Sequence, residues 1–295
     1  MKKVLITGGT GLVGSNLVLK LKNKGFEVVV LSRNPKQEGE YKWDVSTNYI
    51  DDEALLNTDY IIHLAGAGIV DKRWTVSRKK KLIASRVKSA NLLFNKIKEL
   101  NVNLKVFISA SGIGYYGAIN SSKIFKEDDS PENDFISKIC VEWEAAAKQF
   151  KSLNIPVTIL RVGVVLSKKG GALQKMNTPL FLSPLGKGKQ FMPWIHLEDL
   201  SNLFIKAISD PHFKGVFNAV SPAKDTNKSF TKKLGKTLKK IVLPIGVPSF
   251  ILKLILGELS VLLLKGAQIS SKKVEEEYMF KFKNLEEALT EIYSK

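Results

Sequence analysis

The sequence predicts an α/β fold with a doubly wound parallel sheet and a small, discontinuous C-terminal lobe. The first two thirds of the chain alternate between short β-branched runs and longer segments with apolar residues at helical spacing. Alternating units of this length are typical of right-handed βαβ crossovers, which build parallel sheets. A chain of 295 residues, 44% of them hydrophobic, can also bury roughly three quarters of its unfolded surface without a disulfide or a metal.

The elements of the first half follow from these patterns in chain order. Residues 4–6, 26–31 and 60–64 predict strands because each is a short run rich in Val, Ile and Leu. Residues 11–24 and 75–100 predict helices because their apolar residues recur on one face. The first two strands and the helix between them form the first βαβ unit of the predicted sheet.

The second half continues the alternation and then changes character. Further strands are predicted at 105–109, 157–160 and 215–219, and further helices at 135–153, 197–209 and 228–240. Residues 168–196 are rich in Gly, Pro and Lys and predict a long loop with a short helix. After Pro248 the pattern indicates short helices and turns. This last third is expected to pack against the sheet as a small substrate lobe.

The net charge of +18 is carried almost entirely by lysine. Arginine occurs only at positions 33, 73, 78, 86 and 161. Because readout of base edges relies on arginine, a general lysine bias is favoured over nucleic-acid or membrane binding, and no nucleic-acid partner is expected. A nucleic-acid binder remains the weaker alternative, and its affinity would fall steeply with salt. The positive field should help to attract phosphorylated ligands.

Cysteine and histidine usage excludes two classes of protein. Cys140 is the single cysteine, so neither an intrachain disulfide scaffold nor a multi-cysteine zinc site is expected. The three histidines lie far apart in sequence, and no metal site is predicted. No apolar run is long enough to span a membrane, and the chain enters a strand directly without a signal peptide. These features predict a cytoplasmic protein.

The strongest local pattern is the turn Thr7-Gly-Gly-Thr-Gly-Leu-Val-Gly14, between the first strand and the first helix. Gly8, Gly11 and Gly14 would serve a tight turn, close approach of a pyrophosphate and close helix–sheet packing. The following helix N-terminus offers free amides to phosphates. The alternative is a glycine-rich turn without a ligand. The predicted dinucleotide contacts are Gly8, Thr10, Gly11, Leu12, Val13 and Gly14.

The end of the second strand indicates which dinucleotide binds. An NAD site usually carries Asp or Glu there to hold the ribose 2′-hydroxyl, whereas this chain has Ser32 and Arg33. A hydroxyl and a guanidinium would bind a 2′-phosphate, so the sequence predicts NADP(H). A solvated surface arginine is the alternative. Asp44, further along, could accept from the adenine amino group or cap a turn, and the sequence leaves both open.

Several motifs together resemble the extended short-chain dehydrogenase/reductases, specifically the nucleotide-sugar epimerase-like group. They are the glycine turn, His63-Leu-Ala-Gly66, Ile108-Ser-Ala-Ser-Gly-Ile-Gly-Tyr-Tyr-Gly117 and Arg161-Val-Gly-Val-Val165. Lys72-Arg-Trp-Thr75, Trp143-Glu-Ala-Ala-Ala147 and Trp194-Ile-His-Leu-Glu-Asp199 resemble one subfamily, which has a C-terminal domain of unknown function.

The resemblance implies a Rossmann-type fold and further site residues. A dinucleotide-binding, epimerase/dehydratase-like domain would span 1–225, with 165–197 contributing to the substrate lobe, and the C-terminal domain would span 240–295. Leu64 and Ala65 would line the adenine ribose. Arg86, with Lys81 as a weaker candidate, would reach the phosphates, and Val165 would lie near the nicotinamide.

The resemblance also implies a catalytic Tyr, a Lys four residues later and a Ser. A tyrosine with pKa about 10 needs a nearby cation to exchange protons near neutral pH. This chain departs from that pattern, because Asp134 occupies the Tyr position ahead of Lys138, and Gly112 occupies the Ser position beside Ser111. Two catalytic groups are thus missing or displaced.

Three hypotheses follow from this departure. Tyr116 or its neighbour Tyr115, with Ser111 and Lys138, could supply the proton for an oxidoreductase or epimerase acting on a small carbonyl, alcohol or sugar-type substrate. Asp134 could act as the base instead, although beside a lysine it would more readily form an ion pair. Finally, the protein could bind NADP(H) without turnover, as a redox-responsive module. The sequence leaves a homodimer open.

Overall fold

The computed structural model describes residues 1–294 of the chain. The strands are β1 Lys3–Thr7, β2 Glu27–Ser32, β3 Glu40–Asp44, β4 Tyr49–Ile50, β5 Tyr60–His63, β6 Val106–Gly112, β7 Ile124–Phe125, β8 Val157–Val162, β9 Val164–Leu166, β10 Phe181–Leu182, β11 Trp194–His196, β12 Gly215–Ala219, β13 Ile241–Val242 and β14 Gln268–Ile269. The helices are α1 Leu12–Asn23, α2 Val76–Glu99, α3 Phe135–Lys148, α4 Ala172–Met176, α5 Leu197–Ser209, α6 Asn227–Leu238, α7 Ser249–Leu256, α8 Val261–Leu264, α9 Lys272–Glu277 and α10 Leu285–Tyr293.

The central sheet has eight strands in the order β12-β8-β6-β5-β1-β2-β3-β4. All neighbours are parallel except β3 and β4, which pair antiparallel at one edge. The chain builds outward from β1 through β2 and β3, then crosses back to β5 and builds in the other direction. This confirms the predicted doubly wound α/β fold of Rossmann type. The strand order reverses between β1 and β5, which makes this place the switch point of the sheet. Sheets of this kind bind ligands in the crevice at the switch point, outside the carboxyl ends of the strands.

Two apolar layers bury the faces of the sheet. On one face, Leu17 and Leu21 of α1 pack with Leu200 and Phe204 of α5 over the strands. On the other, residues of α2, including Leu93 and Ile97, pack with the 3₁₀ turn Gln149–Leu153 that continues α3. The strands are buried on both faces, which explains why their sequences are continuous apolar runs rather than alternating ones.

The predicted strands and helices are found, but the structure also differs from the prediction. The segment 168–196, predicted as a long loop with a short helix, contains α4 and also the short strands β10 and β11, and the short strands β7, β9, β13 and β14 were not predicted either. The helix predicted at 135–153 is α-helical only as far as Lys148, where the 3₁₀ turn begins. The strands β3 and β4 were not predicted, because β3 alternates Tyr41 and Trp43 with charged residues and lacks the continuous apolar run of the inner strands. Its position near the edge of the sheet accounts for that mixed pattern.

The lobe contains its own core and is tied to the sheet by long-range contacts. Leu173 and Trp194 pack with Phe230 and with Leu285 and Leu289 of α10. Asp199, buried in the first turn of α5, accepts hydrogen bonds from the Tyr278 hydroxyl at 2.8 Å and from the amides of Lys281 at 2.8 Å and Phe282 at 3.0 Å. The C-terminal segment is therefore held on the same body as the sheet.

Residues 1–294 contain neither a membrane-spanning helix nor a grouped set of metal-ligating side chains. No helix there combines the length and the apolar character that crossing a bilayer requires. In the same range, no three His, Cys, Asp or Glu side chains are grouped so that they could hold a metal ion.

Candidate functional site

The glycine turn after β1 is shaped by two close approaches that leave no room for side chains. Gly8 has a φ of +72°, and a Cβ there would lie 3.0 Å from the carbonyl carbon of Leu64. A Cβ on Gly14 would lie 2.2 Å from the Gly8 carbonyl oxygen, so α1 packs directly on the turn. Both positions therefore require glycine, and together they press the turn against the end of β5.

The N-terminus of α1 is open beside this turn. Gly11 is an exposed N-cap residue without a side chain, and no acidic residue stands in the first turn of the helix. The first amides of an α-helix, here those of Leu12, Val13 and Gly14, have no acceptor within the helix. Thr10 is exposed next to them. Free amides and the positive end of the helix dipole make this a place where a phosphate would fit.

Thr7 and His63 fasten the ends of β1 and β5 to each other. The Thr7 hydroxyl accepts from the amides of Leu64 at 3.2 Å and Ala65 at 3.1 Å, and it shares a hydrogen bond with His63 Nδ1 at 2.8 Å. His63 Nε2 lies 3.3 Å from the Ser89 hydroxyl of α2, and because that hydroxyl donates to backbone carbonyls of its own helix, the ring nitrogen is assigned as the donor. Burial lowers the pKa of His63 to about 4, so the ring is neutral and fixes the floor of the crevice.

Ser32 and Arg33 lie at the carboxyl end of β2, next to the turn. Thr7 pairs with Leu31, so β1 and β2 end at the same level. A Cβ on Gly9 would lie 2.7 Å from the Val30 side chain, which shows how closely the turn passes over β2. Ser32 is half-buried and Arg33 is exposed. A hydroxyl and a guanidinium thus stand where an NAD site would carry a carboxylate.

Asp44, at the end of β3, caps a turn. Its Oδ1 accepts from the Ser46 amide at 2.8 Å and from the Ser46 hydroxyl at 2.6 Å. The hydrogen bond from the Ser46 side chain lowers the pKa of Asp44. Of the two roles that the sequence left open, the structure shows this one.

Arg86 of α2 is a buried cation that has no anionic partner among the residues that the structure describes. Its guanidinium lies against Gly66, where a Cβ would come within 2.9 Å of the guanidinium carbon. Nη1 donates to the Leu82 carbonyl at 2.9 Å, whereas Nε is buried and has no acceptor in residues 1–294. Burial lowers the pKa of Arg86 to about 10. A buried guanidinium in this state is costly unless an anion joins it.

Lys81 lies on the side of α2 that faces the loop after β5. It is exposed, and it stands one turn before Ser85, whose hydroxyl accepts from the Ala67 amide at 2.9 Å. Its ammonium group is therefore exposed on the same face of the helix as Ser85.

Leu12 and Val165 border the opposite side of the turn. A Cβ on Gly171 would lie 3.3 Å from Leu12 Cδ2 and 3.6 Å from the Val165 carbonyl oxygen. The loop before α4 thus folds over the start of α1, and β9 brings Val165 beside it. The predicted cofactor residues from β1, α1, β2, β5, α2 and β9 therefore meet around the switch point.

Ser111 and Tyr116 belong to a buried network centred on Arg161. Arg161 pairs with Glu144 through Nε to Oε1 at 2.7 Å and Nη2 to Oε2 at 3.0 Å, and the Ser111 hydroxyl donates to Oε1 at 3.0 Å. Arg161 Nη1 donates to the Tyr116 hydroxyl at 2.7 Å, which donates to Asn218 Oδ1 at 2.8 Å. Burial raises the pKa of Tyr116 to about 12. The hydroxyl groups of Ser111 and Tyr116 are therefore both hydrogen-bonded to the Glu144–Arg161 ion pair.

Of the predicted catalytic residues, the structure brings Ser111 and Tyr116 into this one network but leaves Lys138 outside it. Lys138 is exposed on α3 and lies 3.8 Å from Glu142. Asp134, the residue at the Tyr position, is the N-cap of α3: it accepts from the amides of Ser137 at 2.9 Å and Ala118 at 2.7 Å. The Asp134–Lys138 ion pair that the second hypothesis considered is replaced by this cap.

Tyr115 is placed differently from its neighbour. It is half-buried, and the centre of its ring lies 3.4 Å from the guanidinium carbon of Arg161. Its ring therefore lies on a fixed cation at the carboxyl end of β8, and the Tyr116 ring meets it edge to face with the ring centres 5.4 Å apart. Among the hydroxyl groups named by the catalytic hypotheses, that of Tyr115 is the accessible one.

Two segments of the chain match known protein families. Residues 4–220 match the NAD dependent epimerase/dehydratase family. The chain belongs to this family. Residues 247–292 match a domain of unknown function, DUF1731. The resemblance to an epimerase-like subfamily with such a C-terminal domain is thereby confirmed.

Relatives of this epimerase family cover the whole chain. An epimerase family protein of Staphylococcus aureus strain MRSA252 is 34% identical over 307 aligned positions, covering 100% of both chains. One from Staphylococcus haemolyticus is 33% identical and covers 99% of each. The human epimerase family protein SDR39U1 (isoform 2), solved with NADPH, is 31% identical with a TM-score of 0.87, covering 98% of each chain.

A more distant structure shares the fold but extends beyond it. The nucleoside-diphosphate sugar epimerase of Corynebacterium glutamicum is 27% identical with a TM-score of 0.79, and the match covers 99% of this chain and 58% of that one.

Several residues around the site were not predicted from the sequence. Glu144, Asn218 and Thr7 hold the site together, and the ring of Trp143 lies 4.8 Å from the guanidinium carbon of Arg86. A charged residue at the end of an apolar strand, such as Arg161, implies a buried partner of opposite charge. That signal could have indicated a carboxylate on the helix packed against β8.

Proposed function

We propose that this epimerase-family protein binds NADP(H) at the glycine turn and acts on a small carbonyl, alcohol or sugar-type substrate. The observation that carries the proposal is the buried Arg86, which has an orphaned Nε beside the switch point and lacks a carboxylate partner in residues 1–294. An anionic ligand at this place would supply the missing partner. The uncapped N-terminus of α1 favours an anion at the same edge of the sheet.

The residues present fit a dinucleotide. The amides of Leu12, Val13 and Gly14, with Gly8, Thr10 and Gly11, would hold the diphosphate, and Arg86 and Lys81 would add positive charge. Leu64 and Ala65 would line the adenine ribose, and Val165 the nicotinamide end. Ser32 and Arg33 would hold a 2′-phosphate. The human relative solved with NADPH supports the choice of NADP(H) over NAD.

The chain's own contribution to chemistry would be positioning and proton exchange. NADP(H), when bound, supplies or accepts a hydride. We assign the proton exchange to Tyr115, because its hydroxyl is accessible and its ring is held on the Arg161 guanidinium. Ser111 and Tyr116 would act as positioning residues, since both hydroxyls hold the Glu144–Arg161 pair.

A second function is favoured by one specific observation. Asp134 caps α3 and Lys138 points to solvent, so the Tyr–Lys pair that drives proton exchange in the wider superfamily has no counterpart in the described residues. A protein that binds NADP(H) without turnover would show this arrangement. The division into a dinucleotide-binding domain at 1–225 and a C-terminal domain at 240–295 is proposed for either function.

The two functions are separated by transient kinetics. Loss of NADPH absorbance would be followed across a library of aldehydes, ketones and keto-sugars. We expect turnover with at least one class, and a Tyr115→Phe variant should lower kcat about 100-fold or more. Tyr49→Phe, an exposed tyrosine on β4, is the matched control. Tight NADPH binding without any turnover would establish the non-catalytic function.

A further inference from the structure

One corner of the lobe carries an apolar surface that no other part of the described chain covers. Two segments form this corner, residues 172–192 and 228–256. They are joined by the parallel pair β10–β13 and by a bridge between Leu185 and Val247. The Ser183 hydroxyl also donates to the Ile245 carbonyl at 2.9 Å. The corner shares no residue with the proposed cofactor site.

The exposed side chains of the corner are large and apolar. Phe181 and Ile241 are register partners in a parallel pair, so they stand on the same side, while Leu182 turns inward and is buried. The exposed fractions are 80% for Leu180, 46% for Phe181, 73% for Ile241, 78% for Ile245, 70% for Phe250 and 76% for Leu254. Clustered apolar exposure of this kind marks an interaction surface.

Helix α7 shows how the corner presents these side chains. Phe250 and Leu254 are four residues apart and share one face, with exposed Lys253 beside them. Leu252, on the other side, is buried and anchors the helix. The helix therefore lies flat on the lobe with a phenyl ring, a leucine and an ammonium group directed outward.

The charge of the corner is of one sign. The two segments contain ten lysines and no Asp or Glu. The lysines are Lys175, Lys187, Lys189, Lys228, Lys232, Lys233, Lys236, Lys239, Lys240 and Lys253. Lys233 pairs with Asp225 and Glu286. Lys232, Lys236 and Lys239 form an exposed stripe on and just after α6. Apart from Lys233, the lysines of the two segments form no ion pair within residues 1–294, so the apolar side chains are set among largely unneutralised positive charges.

We propose that this corner docks on an anionic lipid bilayer. Apolar side chains would enter the boundary between headgroups and acyl chains, and the lysines would pair with anionic headgroups. A second copy of the chain is disfavoured, because it would bring two arrays of like charge together. A nucleic acid would attract the lysines but would leave Phe250 and Leu254 in water. Docking of this kind lies on the surface and needs no membrane-spanning helix.

The test is flotation of the full-length protein with vesicles. Vesicles of phosphatidylcholine alone are compared with vesicles holding about one third phosphatidylglycerol, at about 0.1 M salt. We expect roughly tenfold stronger binding to the anionic vesicles. The double variants Phe250→Ser/Leu254→Ser and Lys232→Glu/Lys236→Glu should each lower that binding roughly tenfold. Met279→Ser, 83% exposed and outside the corner, should leave it unchanged.

Three results would overturn the proposal. One is the absence of any difference between neutral and anionic vesicles. Another is a dimer in sedimentation velocity that Phe250→Ser/Leu254→Ser dissociates, which would assign the surface to a second copy. The third is binding to duplex DNA that the lysine variant weakens and the Phe250→Ser/Leu254→Ser variant does not. Unchanged thermal unfolding of each variant shows that the fold is retained, and NADPH affinity, which the corner does not touch, is measured separately.

Discussion

Arg86 and Arg161 are both buried, but their surroundings differ. Those of Arg86 favour a ligand-binding role, whereas those of Arg161 favour a structural role. Arg161 has its charge matched by Glu144, and its Nη1 donates to the Tyr116 hydroxyl and to the Glu127 carbonyl. Arg86 makes one hydrogen bond, to a carbonyl, and meets no carboxylate in the described chain. Burial raises the energy of both cations, but only Arg161 finds its compensation within the protein.

Tyr116→Phe should destabilise the fold without abolishing cofactor binding. The change leaves Arg161 Nη1 and Asn218 Oδ1 without their shared partner in a buried place, which costs about 1–3 kcal/mol. Urea unfolding measures this loss, and Tyr115→Phe should change stability by less than about 0.5 kcal/mol. A Tyr116→Phe protein of full stability whose turnover has disappeared would show that Tyr116 exchanges protons after all.

His63 should make stability depend on pH in a defined window. Its pKa falls from 6.5 to about 4 on folding, so between these values the unfolded chain binds a proton that the folded chain does not. Stability is therefore complete above pH 6.5 and falls as the pH is lowered, by about 1.4 kcal/mol per pH unit. Unfolding curves between pH 6.5 and 5 measure the slope, and His63→Gln should flatten it by that amount. An unchanged slope in His63→Gln would contradict the prediction. The pKa of His196 is also lowered by burial, so part of the slope should remain.

The order of the secondary-structure elements could be predicted from the sequence, but the directions of individual side chains could not. Local patterns predict the glycine turn and the order of β1, α1, β2 and β5. The spacing of apolar residues and of glycines can be recognised within a short stretch of sequence. The roles of Asp134 and Lys138 could not be predicted in this way. Their spacing fits a catalytic pair, but a cap needs only the amide of Ser137, three residues on, and Lys138 then falls on the solvent side.

The variants Asp134→Ala and Asp134→Asn distinguish two roles of Asp134, the N-cap of α3 and a general base. Alanine removes the acceptor for the Ser137 and Ala118 amides and should cost about 1–2 kcal/mol in the free energy of unfolding. Asparagine keeps a capping oxygen and should restore most of that stability. If Asp134 were a general base, Asn and Ala would lower kcat equally, whatever their stability.

At the scale of the whole molecule, the lobe is assembled by contacts between residues far apart in the chain. β9 pairs with β11, and Asp199 bonds residues 278–282. The change of composition after residue 168 indicated a discontinuous lobe. The contacts between Asp199 and residues about 80 positions later leave no local periodicity in the sequence, so they could not be predicted. The same long-range packing explains why α10 can bury Leu285 and Leu289 although its segment is short.

Asp199→Ala should loosen the C-terminal segment. The change leaves two amides and the Tyr278 hydroxyl without an acceptor, and charge-assisted hydrogen bonds of this kind contribute about 1.5–3 kcal/mol each. We expect a loss of at least about 3 kcal/mol and cleavage near residues 278–284 in limited proteolysis before the sheet is cut. Glu287→Ala, an exposed change on α10, is the control. Cleavage that is equally slow in all three proteins would show that other contacts hold the segment.

We propose that the glycine turn binds NADP(H) and that Ser32 and Arg33 hold its 2′-phosphate. Isothermal titration calorimetry of NADPH and NADH, with the unmodified protein and with Arg33→Ala, measures both parts of this proposal. We predict that NADPH binds more tightly than NADH, and that Arg33→Ala weakens NADPH about 10- to 100-fold while leaving NADH nearly unchanged. Equal affinities for the two dinucleotides in the unmodified protein, or no heat with either, would contradict the account.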